Sequence, residues 1–350
     1  MRGVLQTDMK VMNAAKAAGT VVLSLFLLTS CFTFPRDDRE SGSRESTTSE
    51  APDNTAVILP PAEAGAHGEQ ASRIADGAIK DAIICLRTRP AGNVSSGAPE
   101  EKSRRDRLSE SAKGIYDMLC SAVEKIGGYE WDSAGYGGEG DAFSDFMAAD
   151  EALRADHPRF RAYYYPDVAG EVFRPVYFLP GNSYDSPTDD TEEIADRMAL
   201  FDAVCRRIID CMPDGLSDLG KYRYLAAAVT GLCEYDSSLS TVGLPYPAYN
   251  ALVNGSAVCS GYASAFEHLC DEVGLFCQRT DGTKDGGDHA WNRICLSGSF
   301  YYCDLTAADA EVTGSDEWLR CTAITAGRAR DESYRPFREG MTADGTEEIK

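Results

Sequence analysis

The sequence lacks an excess of basic residues, since 34 lysines and arginines stand against 56 aspartates and glutamates and give a formal net charge of −22. Proteins that bind nucleic acids need a basic surface that neutralises phosphates, so this balance argues against a nucleic-acid partner. The sequence also lacks a CxxC pair, a Gly-rich phosphate-binding loop and any internal repeat. No apolar run approaches the roughly 20 residues that a membrane-spanning helix needs. What remains is an acidic chain of 350 residues, 43% apolar, which is enough for one or two packed domains.

The apolar run at residues 21–28, VVLSLFLL, indicates an export signal. It would measure about 12 Å as a helix, too short for a hydrocarbon core of ~30 Å. Basic residues precede the run, and its last residue opens the sequence LTSC, so we predict a signal peptide over residues 1–30. The cysteine that follows resembles the diacylated cysteine of bacterial lipoproteins. The resemblance implies an extracytoplasmic protein anchored to the bacterial membrane through Cys31. An ordinary signal peptide with an accidental cysteine is the alternative.

Composition divides the rest of the chain into three parts. Residues 31–70 are rich in Ser, Glu, Asp and Pro and predict a disordered, lipid-anchored tether. Residues 71–214 predict a mainly helical extension, because apolar residues recur at three- and four-residue steps over 108–126 and 195–212. Between those helices, FRAYYYP and VFRPVYFLP favour strands. The chemistry is concentrated in the remaining part, residues 215–350.

The 12 cysteines leave the disulfide pattern open. An exported protein can form disulfides, but their pairing cannot be read from sequence. Four cysteines fall on apolar helix faces: Cys120, Cys205, Cys233 and Cys270. We expect these four to be free thiols that behave as small hydrophobic residues.

Cys259 stands where a helix is predicted to begin. An apolar stripe at helical spacing follows it, and Gly274 stands where a C-terminal cap belongs. A thiol at a helix N-terminus lies at the positive end of the helix dipole, which favours the reactive thiolate. Small neighbouring residues leave room for a substrate carbonyl. Cys259 is therefore the candidate nucleophile, and its backbone N–H is a candidate oxyanion donor.

His289 opens a strand-like run, HAWNRICL, and a second run, FYYCDLT, follows after a turn. A two-residue turn at Ser297-Gly298 would place Asp304 opposite Trp291. Asp304 and His289 would then be diagonal neighbours on one face, roughly 7–8 Å apart and within reach of their side chains. A three-residue turn would place them on opposite faces instead.

Cysteine, histidine and aspartate together suit acyl transfer. The thiolate attacks a carbonyl, and the imidazole takes and returns a proton. The carboxylate orients the imidazole and stabilises its charged form. The blocks AVCSGYASAF, DHAWNRI and FYYCDLT resemble those of the transglutaminase-like superfamily. That resemblance implies a papain-like α+β fold, in which a nucleophile helix packs on an antiparallel sheet after a mainly helical N-terminal extension. It also implies that Cys259, His289 and Asp304 form the catalytic triad.

Alternatives accompany each of these residues. Cys259 could be structural, and Trp291 is better explained as core packing than as a wall of the site. Tyr249 and Asn250 are weaker candidates for contacting substrate or the oxyanion. A zinc site from Cys259, His268, Cys270 and His289 is disfavoured, because His268 and Cys270 have only one residue between them, a poor spacing for two ligands.

The sequence therefore predicts a surface-anchored cysteine peptidase or transglutaminase-like enzyme that needs no metal or other cofactor. Its substrates would be amide bonds of peptides, proteins or peptidoglycan peptides, cleaved through a thioester, with hydrolysis favoured over cross-linking. The alternative is a non-catalytic cell-surface binding module that keeps the papain-like core. A third reading is a structural spacer.

Overall fold

In the computed structural model the chain is an α+β protein, which confirms the predicted class. The structure describes residues 57–61, 67–88, 92–98, 103–126, 131–132, 141–159, 164–169, 172–179, 188, 190–310, 322–325, 328–329 and 334–336. The predicted signal peptide and the predicted lipidation site, Cys31, lie outside the described residues. Among those described, no helix is both long and apolar enough to cross a membrane.

Helices dominate the first part of the described chain, as the apolar periodicity predicts. Three of them begin at a side chain that accepts a hydrogen bond from a first-turn backbone N–H: Ser109, Asp141 and Asp190. Such caps satisfy amides that have no partner within the helix. The elements are α1 (Gly68–Thr88), a 3₁₀ turn (Arg104–Arg107), α2 (Glu110–Glu124), α3 (Ala142–Asp156) and α4 (Thr191–Asp210).

A small antiparallel sheet interrupts these helices. Strands β2 (Tyr164–Ala169) and β3 (Val172–Tyr177) form a hairpin where the aromatic segments predict strands, and β1 (Trp131–Asp132) joins the outer edge of β3.

The second part of the chain combines helices with a larger sheet. Strands β6 to β11 form one antiparallel sheet in the order β10-β9-β8-β7-β6-β11. Strands β4 and β5 pair separately and in parallel. The elements are α5 (Asp218–Leu232), β4 (Glu234–Tyr235), α6 (Pro247–Leu252), β5 (Ser256–Ala257), α7 (Cys259–Glu272), β6 (Cys277–Lys284), β7 (Gly287–Leu296), β8 (Ser299–Cys303), α8 (Leu305–Ala310), β9 (Thr322–Thr325), β10 (Arg328–Ala329) and β11 (Tyr334–Pro336).

Helix α7 packs against the central strand β7. The Asn292 side-chain amide donates to the Ala263 carbonyl at 2.9 Å, and Ala290 packs with Ala263 and Cys259. Side chains alternate along a strand, so His289 and Trp291 belong to the opposite face of β7. Ala290 directly follows His289, so its contact with Cys259 brings the first turn of α7 next to the candidate histidine.

One continuous buried core runs from Ala71 to Leu305 and includes residues on both sides of the predicted boundary at 214/215. Residues 57–61 also belong to the folded part: Val57 and Leu59 pack on this core, and the Pro60 carbonyl accepts a bond from Arg207 at 2.6 Å. The folded part therefore starts before residue 70, where the tether was predicted to end.

A short segment, residues 92–98, connects the two parts of the chain. The Ser95 and Ser96 carbonyls accept hydrogen bonds from the backbone N–H groups of Ser297 and Gly298, each at 2.9 Å. The Ser96 N–H donates to the Asp218 carboxylate at the start of α5, at 2.7 Å. The segment therefore links the β7–β8 turn to the start of helix α5.

None of the ten cysteines in the described part of the chain is in a disulfide. Cys205, Cys233 and Cys270 are buried, as expected for thiols on apolar helix faces. Cys120 is only half-buried, and burial is the main cause that raises its thiol pKa to about 11.

Candidate active site

Cys259 is the first residue of helix α7, as predicted. The preceding residue, Val258, has extended backbone and offers no side-chain cap, so no side chain shields the positive end of the helix from the thiol. Gly261 is required in the first turn, because an added Cβ would lie 2.3 Å from the Ala257 side chain and 3.0 Å from the Pro247 carbonyl oxygen. Close packing of α6 thus fixes the start of the helix.

The β7–β8 hairpin has the predicted two-residue turn. Leu296 pairs with Ser299 and Asn292 pairs with Cys303, which leaves Ser297 and Gly298 between the strands. Both turn residues have positive φ, 52° and 74°, as a tight type I′ turn requires. Asp304 comes directly after the last pair and so continues on the face that carries His289.

The three candidate catalytic residues meet at one place. His289 Nε2 lies 2.9 Å from Asp304 Oδ2, and the His289 side chain is also hydrogen-bonded to that of Cys259. Because Nε2 is engaged by Asp304, Nδ1 is the ring nitrogen left for the thiol. The imidazole therefore stands between the thiol and the carboxylate.

Electrostatics in this cluster favour a charged imidazole. Burial of the His289 ring disfavours its charged form, but hydrogen bonds to Asp304 and Cys259, and the charges of both, outweigh burial and raise its pKa to about 9. Burial likewise opposes ionisation of Asp304, yet the hydrogen bond and charge of His289 and the ammonium of Lys284 hold the Asp304 pKa well below its usual range. The site can thus keep an imidazolium beside a carboxylate near neutral pH.

Lys284 and Tyr334 also bind Asp304, and sequence reasoning missed both. Lys284 Nζ donates to Asp304 Oδ2 at 2.9 Å, and the Tyr334 hydroxyl donates to the same oxygen at 2.8 Å. The other oxygen, Oδ1, accepts the Ala307 N–H at 3.2 Å and caps helix α8. One carboxylate therefore orients the histidine and starts a helix.

Lys284 lies at the end of strand β6, within residues 280–288, a stretch whose composition is typical of a loop. The composition of TDGTKDGGD, residues 280–288, is compatible with a mobile loop or with a turn between strands, and the structure has the turn. Strands β6 and β7 pair up to Lys284 and Gly287, and only Asp285 and Gly286, with φ of 54° and 86°, form the turn. The dipeptide DG is a recognised hairpin signal that could have identified it.

Trp291 packs in an aromatic cluster, as the preferred interpretation had it. Its ring stacks on His289 with centroids 6.0 Å apart and meets Tyr302 and Tyr334 edge-on at 5.3 and 5.2 Å. Gly282 makes room for this ring, since an added Cβ would lie 2.6 Å from it and 2.3 Å from the Arg335 carbonyl oxygen. Trp291, Tyr302 and Tyr334 therefore form a small buried aromatic cluster beside His289.

Tyr249 and Asn250 make other contacts. The Tyr249 ring stacks on Phe201 of α4 at 6.1 Å. The Asn250 side chain donates to the Pro245 carbonyl at 3.5 Å and accepts from Asn254 at 2.8 Å. None of these contacts involves a triad residue, and a substrate or oxyanion role for either residue stays a prediction.

The four residues of the zinc alternative do not converge. His268 lies nine positions beyond Cys259 in the same helix, roughly 13 Å along its axis, and packs on Phe201 at 5.0 Å. Burial lowers its pKa to about 4. Within the described residues, no group of three or more His, Cys, Asp or Glu side chains is arranged to hold a metal ion.

Comparison with protein-family models and with curated proteins finds no match to this chain. The resemblance to transglutaminase-like proteins therefore rests on its three sequence blocks.

Proposed function

We propose that this chain is a cysteine-dependent acyl-transfer enzyme of the transglutaminase-like superfamily with a papain-like core. The observation that carries the proposal is the position of His289, hydrogen-bonded to the Cys259 thiol on one side and to Asp304 on the other. A nucleophile, a base and a group that orients the base are what acyl transfer requires.

In the proposed reaction, the Cys259 thiolate attacks an amide carbonyl and forms a carbon–sulfur bond. The tetrahedral oxyanion collapses, the carbon–nitrogen bond breaks, and the His289 imidazolium gives its proton to the departing amine. Water then gives a proton to His289, attacks the thioester and releases a carboxylic acid and the thiolate. An amine in place of water would give transamidation. We favour hydrolysis because water is always present and the sequence has no visible amine-binding feature.

The burial of the site favours one alternative, a non-catalytic cell-surface binding module. Cys259 is 3% exposed, His289 6% and Asp304 3%. A reacting carbonyl must approach the thiol to about 3–3.5 Å, so an enzyme needs an approach that such burial restricts. Reactivity of the thiol in the folded protein separates the two functions.

Alkylation with iodoacetamide across pH provides that test, with the modified residue identified by peptide mapping. We expect Cys259 to react well below pH 8, where an ordinary thiol is protonated. Labelling no faster than a free thiol, or failure to label in the folded protein, would reject the enzyme. A second test is intact-mass analysis of wild type and Cys259→Ala after incubation with a peptide library, in which adducts or cleavage should be lost only in the variant.

We further propose that the protein is held at the outer face of the bacterial membrane by two acyl chains on Cys31. The supporting feature is the order of basic residues, apolar run and LTSC in the sequence. Mass analysis of the N-terminal peptide, with Cys31→Ser as the control, tests it. An unmodified Cys31 would leave an ordinary signal peptide as the explanation.

A further inference from the structure

Asp304 Oδ2 accepts three hydrogen bonds. The donors are Lys284 Nζ at 2.9 Å, His289 Nε2 at 2.9 Å and the Tyr334 hydroxyl at 2.8 Å. Asp304 is 3% exposed, and a buried carboxylate is costly unless it is paired and hydrogen-bonded. The bond to His289 is therefore one of three that compete for a single oxygen.

The register of the sheet brings the donors together. Lys284 pairs with Gly287 of β7 on one side and with Tyr334 of β11 on the other. The Lys284 ammonium also lies 5.1 Å from the centre of the Tyr334 ring. Side chains of paired residues share a face, so both donors stand on the face that carries His289 and Asp304.

We propose that Lys284 and Tyr334 are positioning residues for the acyl-transfer reaction. They hold Asp304 Oδ2 toward His289, and by binding the same oxygen they weaken the attraction between the Asp304 carboxylate and the His289 imidazolium. The inference rests on the proposed function and names two residues that act through Asp304. Neither residue is proposed to contact substrate.

Lys284 has the larger expected influence because it carries a charge. Lys284 Nζ and His289 Nε2 both contact the same oxygen, so they lie no more than about 6 Å apart, a range in which like charges disfavour each other. Other titratable groups around the pair are Asp304, the Cys259 thiol of α7, and Tyr302 and Tyr334 on the same sheet face. Removing Lys284 removes the cation nearest to the imidazolium on its carboxylate side.

The test follows the His289 ring by NMR as a function of pH, with His289→Asn to identify its signal among the four histidines. In Lys284→Met we expect the His289 pKa to rise by about 1 unit. In Tyr334→Phe we expect a smaller rise in the same direction, because a neutral donor is lost. Lys284→Arg keeps the charge and should return the pKa to the wild-type value.

Two control variants separate these effects from general damage. Lys221→Met removes a lysine of helix α5 that pairs with Asp218 of the same helix, 3.7 Å away. Tyr302→Phe changes a ring of the same aromatic cluster whose hydroxyl does not bind Asp304. Neither should move the His289 titration. An unchanged or lowered His289 pKa in Lys284→Met, or equal shifts in the controls, would overturn the inference.

Activity gives a second measurement. Looser orientation of Asp304 should lower kcat/KM at pH 7 by about tenfold to a hundredfold in Lys284→Met, in line with the cost of small misplacements. The NMR titration of His289 does not require enzymatic activity. An unreactive Cys259 would therefore reject the proposed function, while the titration would still decide the roles of Lys284 and Tyr334.

Discussion

Helix α7 carries one buried cysteine at its first residue, Cys259, and another two residues before its end, Cys270, and their surroundings differ. Cys259 opens the helix, is 3% exposed and is hydrogen-bonded to His289, whose pKa is raised to about 9. Cys270 lies near the last turn, is fully buried, and has Cys277 as its hydrogen-bond partner. Burial raises the pKa of the Cys270 thiol, and the contact with Cys277 only partly offsets that rise.

The comparison teaches that burial alone does not decide what a thiol does. Both sulfur atoms are shielded from solvent, but only Cys259 has an imidazole and the N-terminal end of a helix beside it. A partner that supplies positive charge favours the thiolate, whereas an apolar or neutral-thiol surrounding keeps the sulfur protonated. Chemistry at Cys259 and packing at Cys270 are therefore separable by mutation.

The largest expected effect is that of Cys259→Ala, which should reduce acyl transfer by about 10⁴-fold or more, since the nucleophile is removed. The matched change at the other end of the helix, Cys270→Ala, should leave kcat/KM within about threefold of wild type. Turnover of a peptide found in the library screen measures both. Equal losses in the two variants would mean that the helix is needed only for structure.

Asp304→Asn should lower kcat by about 10³- to 10⁴-fold, as loss of the orienting carboxylate does in related triads. It should also lower the His289 pKa from about 9, because the hydrogen bond and charge of Asp304 help to raise it. The imidazolium that favours the Cys259 thiolate would then be lost at a lower pH than in wild type, and the fast alkylation of Cys259 would be lost with it. A pH profile that coincides with wild type would show that Asp304 does not influence the thiol.

His289 should also make folding stability depend on pH. Its folded-state pKa of about 9 lies above the ordinary value of 6.5, so the folded protein binds the proton more tightly. The stabilisation is fully present below pH 6.5 and is lost as pH rises through 9, a change on the order of 1–3 kcal/mol. Urea unfolding of wild type and His289→Gln at pH 6 and 9 measures it, and the variant should show the smaller decline.

The smallest expected effect is on stability at the inert end of α7. Cys270→Ala should lower the free energy of unfolding by about 1–2 kcal/mol, because it removes a buried sulfur from a close-packed site. Thermal or urea unfolding, read beside the unchanged turnover of the same variant, measures this cost. Unfolding unaffected by the change would indicate that the core around Cys270 is loosely packed.

Local signals account for what the sequence predicted well. The helix start at Cys259 and the register of the β7–β8 hairpin depend on residues close together in the chain, above all the turn Ser297-Gly298. The α+β class follows from similar local patterns. A two-residue turn fixes which side chains share a face, so the meeting of His289 and Asp304 was predictable.

Long-range pairing accounts for what the sequence missed. Tyr334 reaches Asp304 only because strand β11 joins the edge of β6, and no local pattern indicates which strand occupies an edge. Lys284 was hidden in a polar stretch that resembles a loop by composition. Residues 57–61 were assigned to the tether for the same reason, although Val57 and Leu59 are apolar and pack on the core.

The hydrogen bonds from segment 92–98 to the β7–β8 turn bear on how the protein folds. Cys295 and its partner Ser96 are 199 positions apart, and contacts of such high contact order form slowly because a long loop must close first. During synthesis the segment emerges well before the turn it supports. The hairpin that aligns His289 with Asp304 is therefore expected to acquire its final backbone partners late, after most of the chain has been made.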